Sequence, residues 1–257
     1  MSESFTKEDR EKISRFLSKT RLHQGLGSAV SPCSIAAINI ALTGDIGDHR
    51  PPCMSPVIHR FIIEAQDLAG DEMRNSEEWK ALLPWAAGSL DEVEIELERL
   101  SLVRDWLWDT VLTSEITLKA SALAGLKHNW EAMLKGRSKQ SLNAFVESVG
   151  RLRFFGLYDA GGEYADACLE AAQWTLCTYA KANNAPPCRQ VAAESTRDAC
   201  SAVDAVAKAA WALAGCKAWS EAARLNHIET TLRSFEPAAL LRRLIEHPNG
   251  LPAGWDS

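Results

Sequence analysis

A chain of 257 residues, 46% hydrophobic and 24% charged, has the composition of an ordinary soluble globular protein and can bury a substantial core. Its formal net charge of −6 argues against broad nucleic-acid binding, since an acidic surface repels a phosphate backbone. The only close basic groups, Lys135, Arg137 and Lys139 and then Arg151 and Arg153, come with no RNA or DNA motif.

No apolar run approaches the roughly 20 residues of a membrane span. The opening MSESFTKEDREK lacks the charged-then-apolar order of a secretory signal. Seven irregularly spaced cysteines read as free, mostly packed thiols. A cytoplasmic location is expected.

In chain order, Thr6 is placed to cap a first helix over 6–18, with Ile13, Phe16 and Leu17 at helical spacing. Residues 21–30 carry two glycines and little periodicity, and read as a loop. Ser31-Pro32 and Ser55-Pro56 then repeat one helix-start device. A serine hydroxyl accepts from a first-turn amide, and proline takes the first helical position, where its missing N–H costs nothing. Between Pro32 and Gly44 almost every residue is apolar, which predicts a helix buried on all sides, the central post of the N-terminal half. The helix over 56–68 has a one-sided stripe, from Val57 and Ile58 to Ala65 and Leu68, and should lean on that post.

A polar break over 71–76 precedes a short helix capped by Asn75 or Ser76 and ending near Pro84-Trp85. Ser89 and Glu92 spell a capping box for a long helix reaching about residue 111, its acidic first turns suiting the helix dipole. Thr113-Ser114 starts a further helix to about 126, a helix around Trp130 and Met133 ends at Gly136, and another over 142–149 ends at Gly150. The stretch 151–162, RLRFFGLYDAGG, is irregular and suits either a stacking surface or a linker with buried aromatics.

Alanine dominates 163–226, with Trp174, Trp211 and Trp219 set among it. NNAPP splits this segment into two long helices, and Gly215 is the place for an interruption in the second. A last helix over 237–246 precedes a frayed tail. No run alternates with period two. The expected fold is all-α, a multi-helix bundle of about ten helices. An N-terminal helical core over 1–112 is followed by an Ala/Trp-rich bundle over 113–257, across a soft boundary that a single domain would also fit.

The polar, rigid connection between the two Ser-Pro helices, GDIGDHRPPCM, is the best place for a site. Asp45, Asp48, His49, Arg50 and Cys53, joined by Arg74 on the next connection, offer mixed charge for a small polar ligand, a nucleotide or a partner's arginine. A rigid surface corner set by Pro51-Pro52 is the plainer alternative. Cys33, His49, Cys53 and His59 lack the tight ligand pairs of a structural zinc site, so no metal or cofactor is expected. Cys33 at a helix start, with His49 or His59 as base and Asp45 or Asp48 to orient it, outlines a cysteine nucleophile, against the alternative of a packed thiol.

Trp106 and Trp108 lie about 200° apart on a helix, so one should be core and the other a candidate interface anchor. No P-loop, G-x-G-x-x-G, H-E-x-x-H or G-x-S-x-G occurs, and no catalytic residue is assigned.

One further pattern runs through the chain. A cysteine opens a small-residue helix ending in glycine (PCSIAAINIALTG), and an aspartate, proline and cysteine lead into Pro-Val-Ile (DHRPPCMSPVI). RNSEEWKALLP, VRDWLW and an Ala/Trp-rich tail closing on LLRRLIE follow. In this order the segments resemble a family of helical phage and prophage proteins for which no activity is established. The resemblance covers most of the chain and singles out Cys33, Asp48, Cys53, Pro56, Arg74, Pro84, Asp105 and Trp106. The chain departs from it by a longer Pro-Pro approach to Cys53 and by Ser55, where a small or sulfur residue is expected.

The resemblance implies a phage or prophage setting. The leading expectation is a non-enzymatic cytoplasmic protein that binds a macromolecular partner, a protein, and interferes with a host process such as defence. The alternatives are a small-molecule or nucleotide-binding protein with its pocket at the 44–55 loop, and then a cysteine enzyme. Neither nucleic acid nor membrane is expected as a partner, and a homo-oligomer is compatible.

Overall fold

The computed structural model describes residues 5–68, 70–154, 162–184, 188–213 and 221–247. Among these the chain is all-α, with 13 helices and no strand, as the periodicity predicts. They are α1 (Lys7–Leu17), α2 (Ser34–Thr43), α3 (Pro56–Leu68), α4 (Gly70–Arg74), α5 (Glu77–Ala86), α6 (Val93–Trp106) and α7 (Glu115–Leu123). Then come α8 (Lys127–Gly136), α9 (Lys139–Phe154), α10 (Gly162–Asn184), α11 (Arg189–Leu213), α12 (Glu221–Ser234) and α13 (Pro237–Glu246). No described helix is long and apolar enough to cross a membrane. The expected interruption at Gly215, the aromatic stretch from Phe155 onward and the tail after His247 fall outside the described residues.

Backbone contacts divide the chain into two compact units. One comprises Met1–Leu102, Pro187–Thr196 and Glu236–Ser257, the other Val103–Pro186 and Arg197–Phe235. The boundary expected near residue 112 is soft and a single domain would also fit, and the division by contacts passes between the units at more than one point along the chain.

In the first unit, Thr6 caps α1 in a full capping box with Asp9. The Arg10 guanidinium lies 3.8 Å from the Trp85 ring and lays α1 along α5. Helix α2 is buried over its first six residues, with Ile35, Ala36, Ala37 and Ile38 fully inside, while Ile40, Ala41 and Leu42 are half-buried. Its cap is not Ser31. The helix starts at Ser34, and Cys33 caps it, Sγ accepting from the Ala36 N–H at 3.3 Å. Ser31-Pro32 is unavailable because the Pro32 carbonyl accepts from the His23 N–H in a turn preceding the helix.

The second Ser-Pro start holds. Ser55 Oγ accepts from the Ile58 N–H as α3 opens at Pro56. Ser76 caps α5, which continues past Pro84 to Ala86. Ser89 caps nothing, because its hydroxyl donates to the Ala86 carbonyl and accepts from the Ser55 N–H. Helix α13 covers α3 and α5 with Leu240, Leu241, Leu244 and Ile245.

One polar cluster lies inside this unit. Arg99, 1% exposed, makes five bonds with its five donors: to the carbonyls of Leu244, Ser89 and His247 and to the carboxylates of Glu96 and Asp91. Glu96, also buried, accepts a 2.5 Å bond from Ser55 Oγ. Every donor of the buried guanidinium is used, which offsets the cost of burying the charge.

In the second unit, α6 runs into a π turn over Leu107–Val111. Trp130 is buried edge-to-face on Phe145, centroids 5.1 Å apart, and donates to the Leu112 carbonyl. Helix α9 passes through Gly150 instead of ending there, and α10 packs on α7 and α9.

Candidate functional site

The corner at residues 44–55 is wired into itself. Asn39, buried on α2, donates from Nδ2 to the carbonyls of Gly47 at 2.7 Å and His49 at 2.9 Å. The His59 imidazole bonds the Asp48 carbonyl at 2.8 Å, and burial holds its pKa below the ordinary value. Arg50 turns back to donate to the Met54 carbonyl. Asp45 and His49 pair at 3.6 Å in open solvent. The Cys53 thiol is half-buried, and desolvation pushes its pKa up.

Arg74 does not join this group. It is 2% exposed on α4, with Nε 3.1 Å from Asp71 Oδ1. The corner leads into the start of α3 and Arg74 follows its end. The 13 residues between them span about 20 Å at 1.5 Å per residue. The single pocket expected from Asp45, Asp48, His49, Arg50, Cys53 and Arg74 is therefore two separate places.

The other candidates are also accounted for by the fold. Cys33 is 1% exposed, bonded as a cap, and its pKa is raised by burial, which stabilises the thiol over the thiolate. Trp106 and Trp108 are both buried, their indole N–H groups donating to the Phe235 carbonyl at 2.8 Å and the Tyr179 hydroxyl at 2.9 Å. Neither is an exposed anchor, because the helix and its π turn are covered on both faces. Asp105 and Asp109 face solvent and hold Arg137, whose backbone sits at φ +36°. Among the described residues no group of three or more His, Cys, Asp and Glu side chains is arranged to hold a metal.

A different feature stands at the far end of the α2–α3 pair. Residues 23–32 form a finger closed by reciprocal backbone bonds between Ser28 and Ser31, at 3.0 and 3.2 Å, around a two-residue tip of Ala29 and Val30. Below the tip, the Cys33 N–H donates to the Leu26 carbonyl, the His23 N–H to the Pro32 carbonyl, and Gly27 bridges Pro32. Gly27 sits at φ +70°, and a Cβ there would lie 2.1 Å from the Ser31 carbonyl oxygen.

Side chains fasten the stem to the helices. Asp67 accepts from the Gly25 N–H at 3.0 Å, and the Asn75 amide bonds both the N–H and the carbonyl of Leu22. The result is a stiff turn that carries Val30 86% exposed at its tip and Leu26 44% exposed on its flank.

At the foot of the finger lies an open groove of about 680 Å³. Segment 18–21 forms one side, and Asp71, Glu72, Asn75 and Lys80 the other. Ser31 Oγ donates to the Arg21 carbonyl at 3.1 Å, so finger and groove share residue 21.

Comparison with protein-family models, curated proteins and solved structures finds no match to this chain. The functional reading rests on the geometry. Among the described residues no metal ligand set lies at the finger. The finger offers an apolar side chain in a fixed position, and the sequence signal for it was slight: Gly25, Gly27, the Ser28/Ser31 pair and Pro32, which without their long-range partners read only as a loop.

Proposed function

We propose that this chain is a cytoplasmic helical protein that binds a protein partner, with the finger over 23–32 as its contact element. The observation that carries the reading is Val30, 86% exposed at the tip of a turn held by at least four backbone hydrogen bonds and fastened by Asp67 and Asn75. An apolar side chain in water forgoes about 1.5–3 kcal/mol of burial. Holding it rigidly lowers the ordering cost of docking, which is how a preorganised anchor gains affinity. The resemblance to phage and prophage helical proteins supports a setting in which the partner belongs to a host process such as defence.

The cysteine-enzyme alternative is opposed by the burial of Cys33 and the raised pKa of Cys53.

The test compares the chain with its Val30→Asp variant, each immobilised and exposed to bacterial lysate, with retained proteins quantified by mass spectrometry. At least one protein should be retained by the parent chain and lost from the variant. Identical retention by both overturns the finger as the contact element.

A further inference from the structure

The charges of the groove beside the finger are not balanced pair by pair. Asp71 is shared by two guanidiniums, with Arg21 Nη2 at 3.0 Å and Arg74 Nε at 3.1 Å. Lys80 donates one of its three protons to the Thr20 carbonyl at 2.9 Å and has no carboxylate partner among the described residues. Lys19, exposed on the groove wall, forms no ion pair among them either. In a chain of net charge −6, the groove lining sets three cations, Lys19, Arg21 and Lys80, against two carboxylates, Asp71 and Glu72, and neither ammonium has a carboxylate partner among the described residues. A local positive excess of this kind favours the approach of a carboxylate there over the rest of an acidic surface.

The shape narrows the ligand. Small-molecule sites are enclosed and mostly apolar, whereas this groove is open and polar. The hydroxyls of Ser18 and Thr20 can accept from the N–H groups of an extended peptide. No aromatic side chain lines the groove, so a nucleobase has nothing to stack on. The bond from Ser31 to the Arg21 carbonyl makes the groove continuous with the finger.

We infer that this groove receives an acidic, extended polypeptide segment of the partner whose surface the finger tip enters. The inference rests on the reading of the finger as a contact element and adds the chemistry of what lies beside it.

The probe is a short fluorescein-labelled Glu-rich peptide titrated with the full chain, read by fluorescence anisotropy. Binding should weaken about tenfold as added salt shortens the Debye length from about 30 to about 8 Å. Lys19→Glu, at an exposed position outside any helix, should weaken it about threefold to tenfold, with Lys19→Gln in between. Absence of binding, binding indifferent to Lys19→Glu, or equally tight binding of a single-stranded oligonucleotide of matching charge overturns the inference.

The two proposals fail separately. If Val30→Asp abolishes partner capture while the peptide is ignored, the groove assignment falls and the finger stands. If the peptide binds through Lys19 while partner capture is indifferent to Val30→Asp, the finger falls.

Discussion

At one end of the α2–α3 pair the corner over 44–55 turns its polar groups onto itself, Asn39 onto two carbonyls and Arg50 onto Met54. At the other end the finger over 23–32 uses its polar groups to hold its own backbone and turns Leu26 and Val30 outward. By composition the corner is the candidate site and the finger a plain loop, and the bonding adds the finger as a second candidate. Among the corner's charged side chains only Arg50, through Nη1, is engaged by the backbone, and Asp45, Asp48 and His49 stay exposed. A glycine- and serine-rich turn becomes stiff once the amides of His23, Gly25, Ser28 and Ser31 all have partners.

Five changes would break or sharpen that contrast. The largest effect belongs to the cluster behind the corner. Arg99→Ala leaves Glu96 buried without its cation and should cost about 3–5 kcal/mol, read as a lower urea midpoint. A loss under about 1 kcal/mol would show the cluster to be dispensable.

Next, Asn39→Ala orphans the carbonyls of Gly47 and His49 and should cost about 1–3 kcal/mol, with faster amide hydrogen exchange over 44–50. If exchange there is unchanged, the corner is not held in the way described.

Gly27→Ala meets both the Ser31 carbonyl and a positive φ. About 1 kcal/mol or more of global stability should go, the Ser31 and Cys33 amides should exchange faster, and partner capture should fall with them. Capture that survives a loosened finger would mean that its rigidity is not what the partner reads.

A smaller effect comes from His59. Burial lowers its folded pKa below the ordinary 6.5, so between those two values the unfolded chain holds more protons. Stability should therefore fall as pH drops through 6.5 and level off below the folded pKa, with no contribution above. The difference in unfolding free energy between the parent and His59→Gln, followed across that range, should show the slope in the parent alone. The smallest effect on stability is Val30→Ser, within about 0.5 kcal/mol, because the side chain touches little. That variant should nonetheless lose partner capture.

What was legible in the sequence follows from how local its cause is. Helix α13 matches the expected 237–246 because Pro237 opens it and its apolar stripe is uninterrupted. Helix α2 reads as a buried post because it is apolar on every side, and Ser55, Ser76 and Ser114 cap helices through bonds three residues away. Ser31 and Ser89 have the same look and cap nothing, since partners at Arg21 and Ser55 claim their hydroxyls. Trp106 and Trp108 were separated by helical angle alone, which says nothing of a helix covered on two faces.

The candidate site was the least legible part. Exposure of Val30 and the stiffness of its turn depend on Asp67 and Asn75, which bond Gly25 and Leu22 from 42 and 53 residues away. Arg74 falls at the far end of α3 from the corner, a separation that the 13-residue length of that helix alone sets.

The bonds from Arg99 to the carbonyls of Leu244 and His247 join groups 145 and 148 residues apart. On a ribosome, Arg99 and the apolar faces of α3 and α5 emerge long before the segment that covers them. Until α13 arrives, the guanidinium lacks two of its five acceptors and a core face stays open to solvent. The first unit can therefore close only after residues 237–247 have been made, an order that favours slow, long-range closure over early local collapse.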